Sequence, residues 1–363
     1  MRSEPGSKPV DPAALVLSGG GKWGSFGAGM LANWKDLPRF SRVTGVSTGA
    51  LLGTFAFLGE DPAPDDRILR PEDDFPAVPD KRRNVDDAVA GYTISREATV
   101  LKNNGGEFGV IRKGSFGDLA PLRDRLYRLI TPKTILALAN EYRNGRHFYV
   151  ALLNIDSGKA EAVDMTELAA PALRDVEKIP DIRACYIETL MAAGSEPVGA
   201  QPVFIDNTLY VDAGVRFGVF LEEIEKSIRD FNTRRSAAPA TGGPRPAVYM
   251  IVNGQMSVSA QGDEKWSPLT LAKRSMELVT DQIYRFSAKR VADYAKSTQT
   301  DFYFAYAGTW AEHEWQRQKC VQWRDTDARE LKPLQFYPNM MKCLIDYGSW
   351  RARTKPWDEA PNP

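Results

Sequence analysis

The chain has 363 residues, of which 43% are hydrophobic, so it can bury one large core or two smaller ones. Its 47 Lys and Arg balance its 47 Asp and Glu, which excludes an overall attraction to nucleic acid or to an anionic membrane. Any contact with lipid must then be local and largely apolar. Three cysteines, Cys185, Cys320 and Cys343, argue against a disulfide framework. We expect reduced, buried thiols, although a bridge between Cys320 and Cys343 stays open.

The N-terminal residues 1–12 are rich in Pro, Ser and charge, which predicts a flexible tail. They contain no apolar signal core, and no stretch of the chain approaches the ~20 apolar residues of a membrane span. We therefore expect a soluble protein, cytoplasmic unless a processed N-terminus once carried an export signal.

A glycine-rich loop follows the first predicted strand. Residues 13–17 form an apolar run, and Phe26, Met30 and Trp34 recur at helical spacing beyond it. Between them lies the segment Ser18-Gly19-Gly20-Gly21-Lys22-Trp23-Gly24. A strand, a glycine loop and a helix start leave backbone N–H groups directed at an anion. The pattern predicts an oxyanion loop formed by Gly19 to Lys22.

A second glycine-flanked loop, Gly45-Val46-Ser47-Thr48-Gly49, lies between another strand and another apolar segment. The Gly-x-Ser-x-Gly pattern allows a sharp strand-to-helix turn that holds the serine Oγ clear of the backbone. Ser47 is therefore the predicted nucleophile.

The rest of the chain alternates predicted strands and helices. Five prolines and many acidic residues in 61–87 predict a surface loop, and glycines interrupt short elements in 94–130. This region is either a lid over the site or an ordinary connection. Beyond it we predict strands at 147–155, 203–205, 209–211, 247–252 and 302–307, helices at 182–193, 221–231 and 268–295, and a linker at 234–246. Such alternation indicates an α/β fold with a mostly parallel sheet.

A serine hydroxyl needs a neighbouring base, and the chain offers few. It has only two histidines: His147 opens a predicted buried strand, and His313 lies in a charged segment. Asp212 ends a short apolar strand and runs into Ala213-Gly214. Strand ends of parallel sheets collect catalytic groups, and burial raises the pKa of a carboxylate toward neutrality. Asp212 is the predicted base, with a turn-forming role as the alternative.

In this order, the three motifs resemble those of the patatin-like phospholipases, a family that uses a Ser-Asp dyad. Gly19 to Gly24 is similar to the family's oxyanion loop, Gly45 to Ala50 to its nucleophile elbow, and Asp212-Ala213-Gly214 to its Asp-Gly turn. Two departures stand out. Trp23 occupies a position that is often basic in the family, with Lys22 one residue earlier, and Ala213 replaces a glycine.

The resemblance implies a three-layer α/β/α domain over 13–310, with an insertion or lid at 60–146 and a C-terminal extension over 311–363 packed on the core. It implies a lipid acyl hydrolase that needs neither metal nor organic cofactor. Its expected partners are a phospholipid or lysophospholipid substrate and, transiently, a membrane surface. Five tryptophans after residue 309 fit either such a surface or packing of the extension onto the core.

Three other interpretations compete with the dyad. The glycine loop also fits a dinucleotide fingerprint, but no acidic residue follows where a ribose would need it. Ser47, Asp212 and His313 stand in the chain order of an α/β-hydrolase triad, although too few strands precede the serine. A catalytically silent lipid-binding protein would retain the fold without the activity.

Overall fold

The computed structural model describes residues 9–69, 81–105, 112–220, 222–237, 245–258 and 268–359. Most of the predicted N-terminal tail, the centre of the proline-rich loop and most of the predicted linker lie outside these ranges. The strands, numbered along the chain, are β1 (Asp11–Leu17), β2 (Phe40–Gly45), β3 (Lys102–Asn103), β4 (Gly117–Asp118), β5 (His147–Asn154), β6 (Ala160–Asp164), β7 (Val203–Ile205), β8 (Thr208–Asp212), β9 (Ala247–Val252), β10 (Asp301–Tyr306), β11 (Glu314–Trp315) and β12 (Gln318–Lys319).

The helices are numbered in the same way. They are α1 (Gly24–Asn33), α2 (Thr48–Leu58), α3 (Asn84–Tyr92), α4 (Ala120–Leu129), α5 (Pro132–Arg143), α6 (Met165–Ala169), α7 (Ile179–Ala193), α8 (Glu222–Ala237), α9 (Pro268–Ser297), α10 (Cys320–Glu330) and α11 (Pro338–Thr354). None of the helices in the described ranges is both long and apolar enough to cross a membrane.

The central sheet is mixed but mostly parallel, as the sequence predicted. Its order is β10-β9-β1-β2-β5-β8-β7, with β6 paired to β5. The run from β10 to β5 is parallel, whereas β6, β7 and β8 join antiparallel. The sheet therefore has a parallel half that leads to Ser47 and an antiparallel half that carries Asp212.

Helices cover both faces of this sheet. On one face, α1, α2, α3, α5, α7 and α11 contribute to the main core together with alternate residues of β1. On the other face, Ala14 and Val16 of β1 belong to a second core cluster with Ile224 of α8 and Val291 of α9. The alternation along β1 follows from the period of two in a strand and gives the expected three-layer arrangement.

The C-terminal extension is part of the main core. Helix α11 packs tightly on α1: a Cβ at Gly29 would lie 2.0 Å from the carbonyl oxygen of Ile345, and one at Gly348 2.2 Å from that of Phe26. Trp310 is 3% exposed, and Trp315, Trp323 and Trp357 pack against the core, while Trp350 is 42% exposed. These contacts favour the packing role of the C-terminal tryptophans.

Some local predictions differ from the structure. Strand β1 begins at Asp11, inside the predicted tail, and α3 begins at Asn84, inside the predicted loop. Both α3 and α5 bury side chains in the main core. Cys320 and Cys343 form a disulfide between α10 and α11, which corrects the expectation of reduced thiols for this pair; Cys185 is free.

Candidate active site

Strand register brings the three predicted motifs to one place. Leu17 of β1 pairs with Gly45 of β2, and Gly45 pairs in turn with Val150 of β5. Two residues further along β5, Leu152 pairs with Asp212. Ser47 lies two residues beyond Gly45, so Asp212 is level with it across the sheet. The sequence suggested that Asp212 lies at the end of a parallel strand. In the structure β8 is antiparallel to β5, so β8 reaches the level of Ser47 from the opposite direction.

Ser47 occupies a strained turn between β2 and α2. Its backbone has φ 53° and ψ −125°, a combination that L residues rarely adopt. The turn is held by hydrogen bonds from the N–H of Val46 to the carbonyl of Leu17 (3.2 Å) and from the N–H of Gly49 to the carbonyl of Val46 (2.8 Å). Strain of this kind, in a residue at the end of a strand, is typical of a nucleophile elbow.

Glycine is required on both sides of Ser47 because the backbone approaches too closely for a side chain. A Cβ at Gly45 would lie 2.5 Å from the carbonyl oxygen of Gly49. One at Gly49 would lie 2.4 Å from the carbonyl oxygen of Leu17. These close approaches explain the spacing of the Gly-x-Ser-x-Gly pattern.

The glycine-rich loop lies beside Ser47 and turns through left-handed backbone. Gly20 has φ 143° and Gly21 φ 55°, and a short 3-10 helix of Gly21–Trp23 leads into α1. Within the described part of the chain, the N–H groups of Gly20 and Gly21 form no hydrogen bond to a backbone carbonyl. A Cβ at Gly19 would lie 2.9 Å from the Cβ of Ser47. The loop thus leaves two donors close to the predicted nucleophile.

Asn253, which the sequence analysis did not single out, fixes this loop from the end of β9. Its Nδ2 donates to the carbonyl of Ser18 (2.8 Å), and its backbone N–H donates to the Ser18 Oγ (2.8 Å). A Cβ at Gly20 would lie 1.7 Å from the carbonyl oxygen of Asn253. The sequence signal for Asn253 is its position just after a predicted strand. That signal indicates a contact with the glycine loop only when the pairing of β9 with β1 is known.

Asp212 is 4% exposed, and the side chain of Ser47 lies near enough to its carboxyl to lower the pKa of Asp212 by hydrogen bonding. Its Oδ1 also accepts from the N–H of Gly214 (2.7 Å). Burial raises the pKa of Asp212 to about 7, against the lowering effect of both hydrogen bonds, and the negative charge of Glu196 adds to the rise. Ala213 is not among the described residues with positive φ, so alanine fits this turn without strain.

The side chains of Lys22 and Trp23 turn toward the C-terminal part of the chain. Lys22 Nζ lies 5.3 Å from the centre of the Tyr337 ring, and Trp23 packs edge-on against Trp310 with ring centres 5.0 Å apart. Gln335 lies near Gly21, where a Cβ would meet its Nε2 at 3.0 Å. Trp23 stands where members of the family often carry a basic residue, and here it contacts another aromatic residue, Trp310.

Both histidines pair with carboxylates other than Asp212. His147 Nδ1 lies 2.6 Å from Asp164 Oδ2, at the start of β5 and away from the Ser47 end of the sheet. His313 Nε2 lies 2.8 Å from Asp346 Oδ2 on α11. Among the described residues, no cluster of three or more His, Cys, Asp or Glu has the arrangement of a metal site. Because His313 pairs with Asp346 and not with Asp212, the structure gives no support to a triad of Ser47, Asp212 and His313.

A family model described as patatin-like phospholipase matches residues 15–223, which is more than half of the chain. The chain belongs to the patatin-like phospholipase family. The matched region of this patatin-like chain contains the glycine loop, Ser47 and Asp212, and membership supports lipid acyl hydrolysis as its class of activity.

Two further comparisons add little to this assignment. None of the curated proteins compared with the patatin-like chain is similar enough in sequence to match it. Among solved structures, the crystal structure of VipD from Legionella pneumophila aligns with 94% of this chain and 68% of VipD, at 13% sequence identity and a TM-score of 0.32. So distant a likeness carries no argument about the site.

Proposed function

We propose that the protein is a lipid acyl hydrolase of the phospholipase A or lysophospholipase type, with Ser47 as nucleophile and Asp212 as its base. The observation that carries the proposal is a buried carboxylate beside the Ser47 side chain, whose pKa burial raises to about 7. A base with a pKa near the working pH accepts and returns a proton with little loss in either direction.

In the first half of the proposed reaction, Ser47 Oγ bonds to the ester carbonyl carbon while its proton passes to Asp212. The N–H groups of Gly20, Gly21 and Lys22 stabilise the tetrahedral oxyanion. The bond between the carbonyl carbon and the alcohol oxygen then breaks, and Asp212 returns the proton to that oxygen. The alcohol leaves, and the acyl group stays on Ser47.

In the second half, a water molecule gives a proton to Asp212 and attacks the acyl carbon. The ester bond to Ser47 breaks, the fatty acid leaves, and the proton returns to Ser47 Oγ. Asp212 must be ionised to accept a proton, so we expect kcat/KM to fall as the pH drops below about 7. A kcat/KM that stays constant down to pH 5 would contradict Asp212 as the base.

The decisive assay measures hydrolysis of a soluble short-chain ester and of mixed phospholipid vesicles by the wild type and three variants. We expect Ser47→Ala to lose about 10³-fold or more and Asp212→Asn to be similarly inactive. His313→Ala should stay near the wild type, because His313 pairs with the half-exposed Asp346. Loss in His313→Ala would move the protein to a triad mechanism, and a folded wild type that cleaves neither substrate would favour a silent lipid-binding protein.

We also propose that α9 contacts the membrane surface during turnover. Apolar side chains that are half or more exposed recur along this helix at Leu271, Leu278, Val279 and Phe286, with roughly two-turn spacing that places them on one face. Tyr284 of the same helix reaches the catalytic centre. Exposed apolar side chains on a helix beside a lipid-hydrolysing site suit insertion into the headgroup region.

Vesicle sedimentation tests this contact. Phe286→Glu should weaken binding to phospholipid vesicles and lower their hydrolysis, while turnover of a soluble ester stays unchanged. Phe204→Glu is the matched control, since Phe204 is 72% exposed on β7 at the opposite edge of the sheet. Equal vesicle binding by both variants and the wild type would exclude α9 as the contact.

A further inference from the structure

Tyr284, in the middle of α9, reaches the catalytic centre from the C-terminal half of the chain. A Cβ placed on Gly19 would lie 2.2 Å from the Tyr284 hydroxyl oxygen and 2.9 Å from the Ser47 Cβ. The phenol oxygen and the nucleophile therefore converge on the same point beside the oxyanion loop. The hydroxyl also lies 3.6 Å from the Cβ position of Gly214, next to Asp212.

Gly218, like Gly19, leaves space that Tyr284 occupies. A Cβ at Gly218 would lie 2.1 Å from the tyrosine Cδ1 and 2.8 Å from its Cα, so any side chain at 218 would displace the ring. The N–H of Gly218 donates to Ser287 Oγ (3.1 Å) and ties this segment to α9. Arg285 Nε donates to the carbonyl of Met256 (2.7 Å) on the other side. These contacts hold α9 beside Gly218 and so position the ring.

The hydroxyl of Tyr284 is a donor throughout the working pH range. Burial raises its pKa far above the usual value, and the negative charges of Asp212 and Glu196 raise it further. Within the described residues, no group forms a hydrogen bond with it, and the hydrogen bonds of Asp212 come from Ser47 and Gly214. The hydroxyl of this partly buried residue is therefore available to a group that arrives with the substrate.

We infer that Tyr284 is a further catalytic residue: its hydroxyl donates a hydrogen bond to the oxyanion that forms when Ser47 attacks the ester carbonyl. This inference rests on the proposed function and adds a side-chain donor to the backbone N–H groups of the glycine loop. The phenol is neutral before the reaction and meets negative charge only as the tetrahedral intermediate forms. It therefore stabilises the transition state more than the bound substrate.

The alternative role is obstruction, in which the ring blocks the nucleophile until α9 moves. The two roles predict opposite effects of removing the hydroxyl. Loss of an oxyanion donor lowers kcat by about 10²-fold with little change in KM. Removal of an obstructing atom leaves the activity unchanged or raises it.

The test uses a soluble short-chain ester, so that membrane binding plays no part. We expect Tyr284→Phe to lower kcat about 10²-fold, with KM within about twofold of the wild type. Tyr294→Phe is the matched control, because Tyr294 lies on the same helix and its hydroxyl donates to the distant Glu225 carbonyl (3.1 Å). The control should keep wild-type kinetics.

Thermal unfolding separates catalysis from folding. Tyr284→Phe removes only the hydroxyl and keeps the ring, so its Tm should stay close to that of the wild type while its kcat falls. Tyr284→Ala should be no more active than Tyr284→Phe. A Tyr284→Phe kcat within twofold of the wild type, or a Tyr284→Ala kcat above it, would overturn the inference.

A covalent probe gives an independent measurement. Ser47 Oγ attacks the phosphorus of an alkyl fluorophosphonate, the P–F bond breaks, fluoride leaves, and the proton passes to Asp212. The phosphoryl oxygen takes the place of the oxyanion, so labelling of Tyr284→Phe should slow in parallel with its kcat. Failure of the wild type to exceed Ser47→Ala in both assays would instead reject the proposed function itself.

Discussion

The two glycine loops at the proposed catalytic centre use glycine for different physical reasons. In the oxyanion loop, Gly20 and Gly21 themselves adopt positive φ, and the carbonyl of Asn253 lies directly behind Gly20. In the nucleophile elbow, the positive φ belongs to Ser47, while Gly45 and Gly49 only provide room for neighbouring backbone. The first loop needs glycine for both conformation and space, whereas the second concentrates its strain at Ser47, the proposed nucleophile.

This difference has a functional sense. An oxyanion loop must direct N–H groups at a point outside the chain, which requires backbone that L side chains disfavour. An elbow must present one side chain, so the strain has to lie at a residue that keeps its Cβ. Substitutions at the two loops should therefore separate the cost of conformation from the cost of crowding.

The largest effect is expected for Gly20→Ala, which meets both costs. Its Cβ would lie 1.7 Å from a backbone oxygen at φ 143°, and we expect a loss of more than about 4 kcal/mol in the free energy of unfolding. Gly158→Ala is the control, since Gly158 has φ 66° with open space around it and should cost only about 1–2 kcal/mol. Urea denaturation measures both, and equal midpoints would show that crowding by Asn253 contributes nothing.

The next effect is expected for Gly49→Ala, which meets crowding without positive φ. Its Cβ would lie 2.4 Å from the Leu17 carbonyl oxygen, and we expect a loss of about 3 kcal/mol. Gly254→Ala, also without positive φ and with open space, should change stability by less than about 1 kcal/mol. If the two variants unfold at the same urea concentration, the elbow tolerates a side chain and the comparison fails.

The third prediction concerns the free-energy cost of holding Asp212 ionised in the folded state. Its pKa is raised in the folded state, so its destabilising contribution is absent below about pH 4, grows as the pH rises, and is complete above about pH 7. Asp212→Asn should therefore raise Tm by several degrees at pH 8 and by almost nothing at pH 4, while abolishing activity. A Tm difference independent of pH would show that the pKa of Asp212 is not raised by folding.

Much of the nucleophile side of the site is predictable because its determinants are local. The apolar runs before Ser18 and Val46, and the glycines beside them, indicate strand ends and sharp turns from neighbouring residues alone. The family model covers this part of the chain, over residues 15–223. The mostly parallel sheet follows from the same alternation of strands and helices.

The opposite side depends on long-range register and was harder to predict. Asp212 is level with Ser47 only because β8 pairs antiparallel with β5, and a short apolar strand does not reveal its direction. Strand β6 was missed because Ala160–Asp164 is only partly buried and lacks an apolar run. Tyr284 is one aromatic residue in a long amphipathic helix, and its contact with Gly19 requires the packing of α9. Physical proximity of these residues is a property of the whole fold.

The smallest effect compares two substitutions of Ser47 itself. Both Ser47→Ala and Ser47→Gly remove the hydroxyl that hydrogen-bonds to Asp212, so both should be inactive and lose the same interaction. Only glycine relieves the cost of holding a Cβ at φ 53° and ψ −125°. Ser47→Gly should therefore be more stable than Ser47→Ala by about 1 kcal/mol, measured as a difference in urea midpoint at equal slope. If Ser47→Ala is as stable as Ser47→Gly, the backbone strain of the elbow does not lie at Ser47. The proposed difference between the two loops would then be wrong.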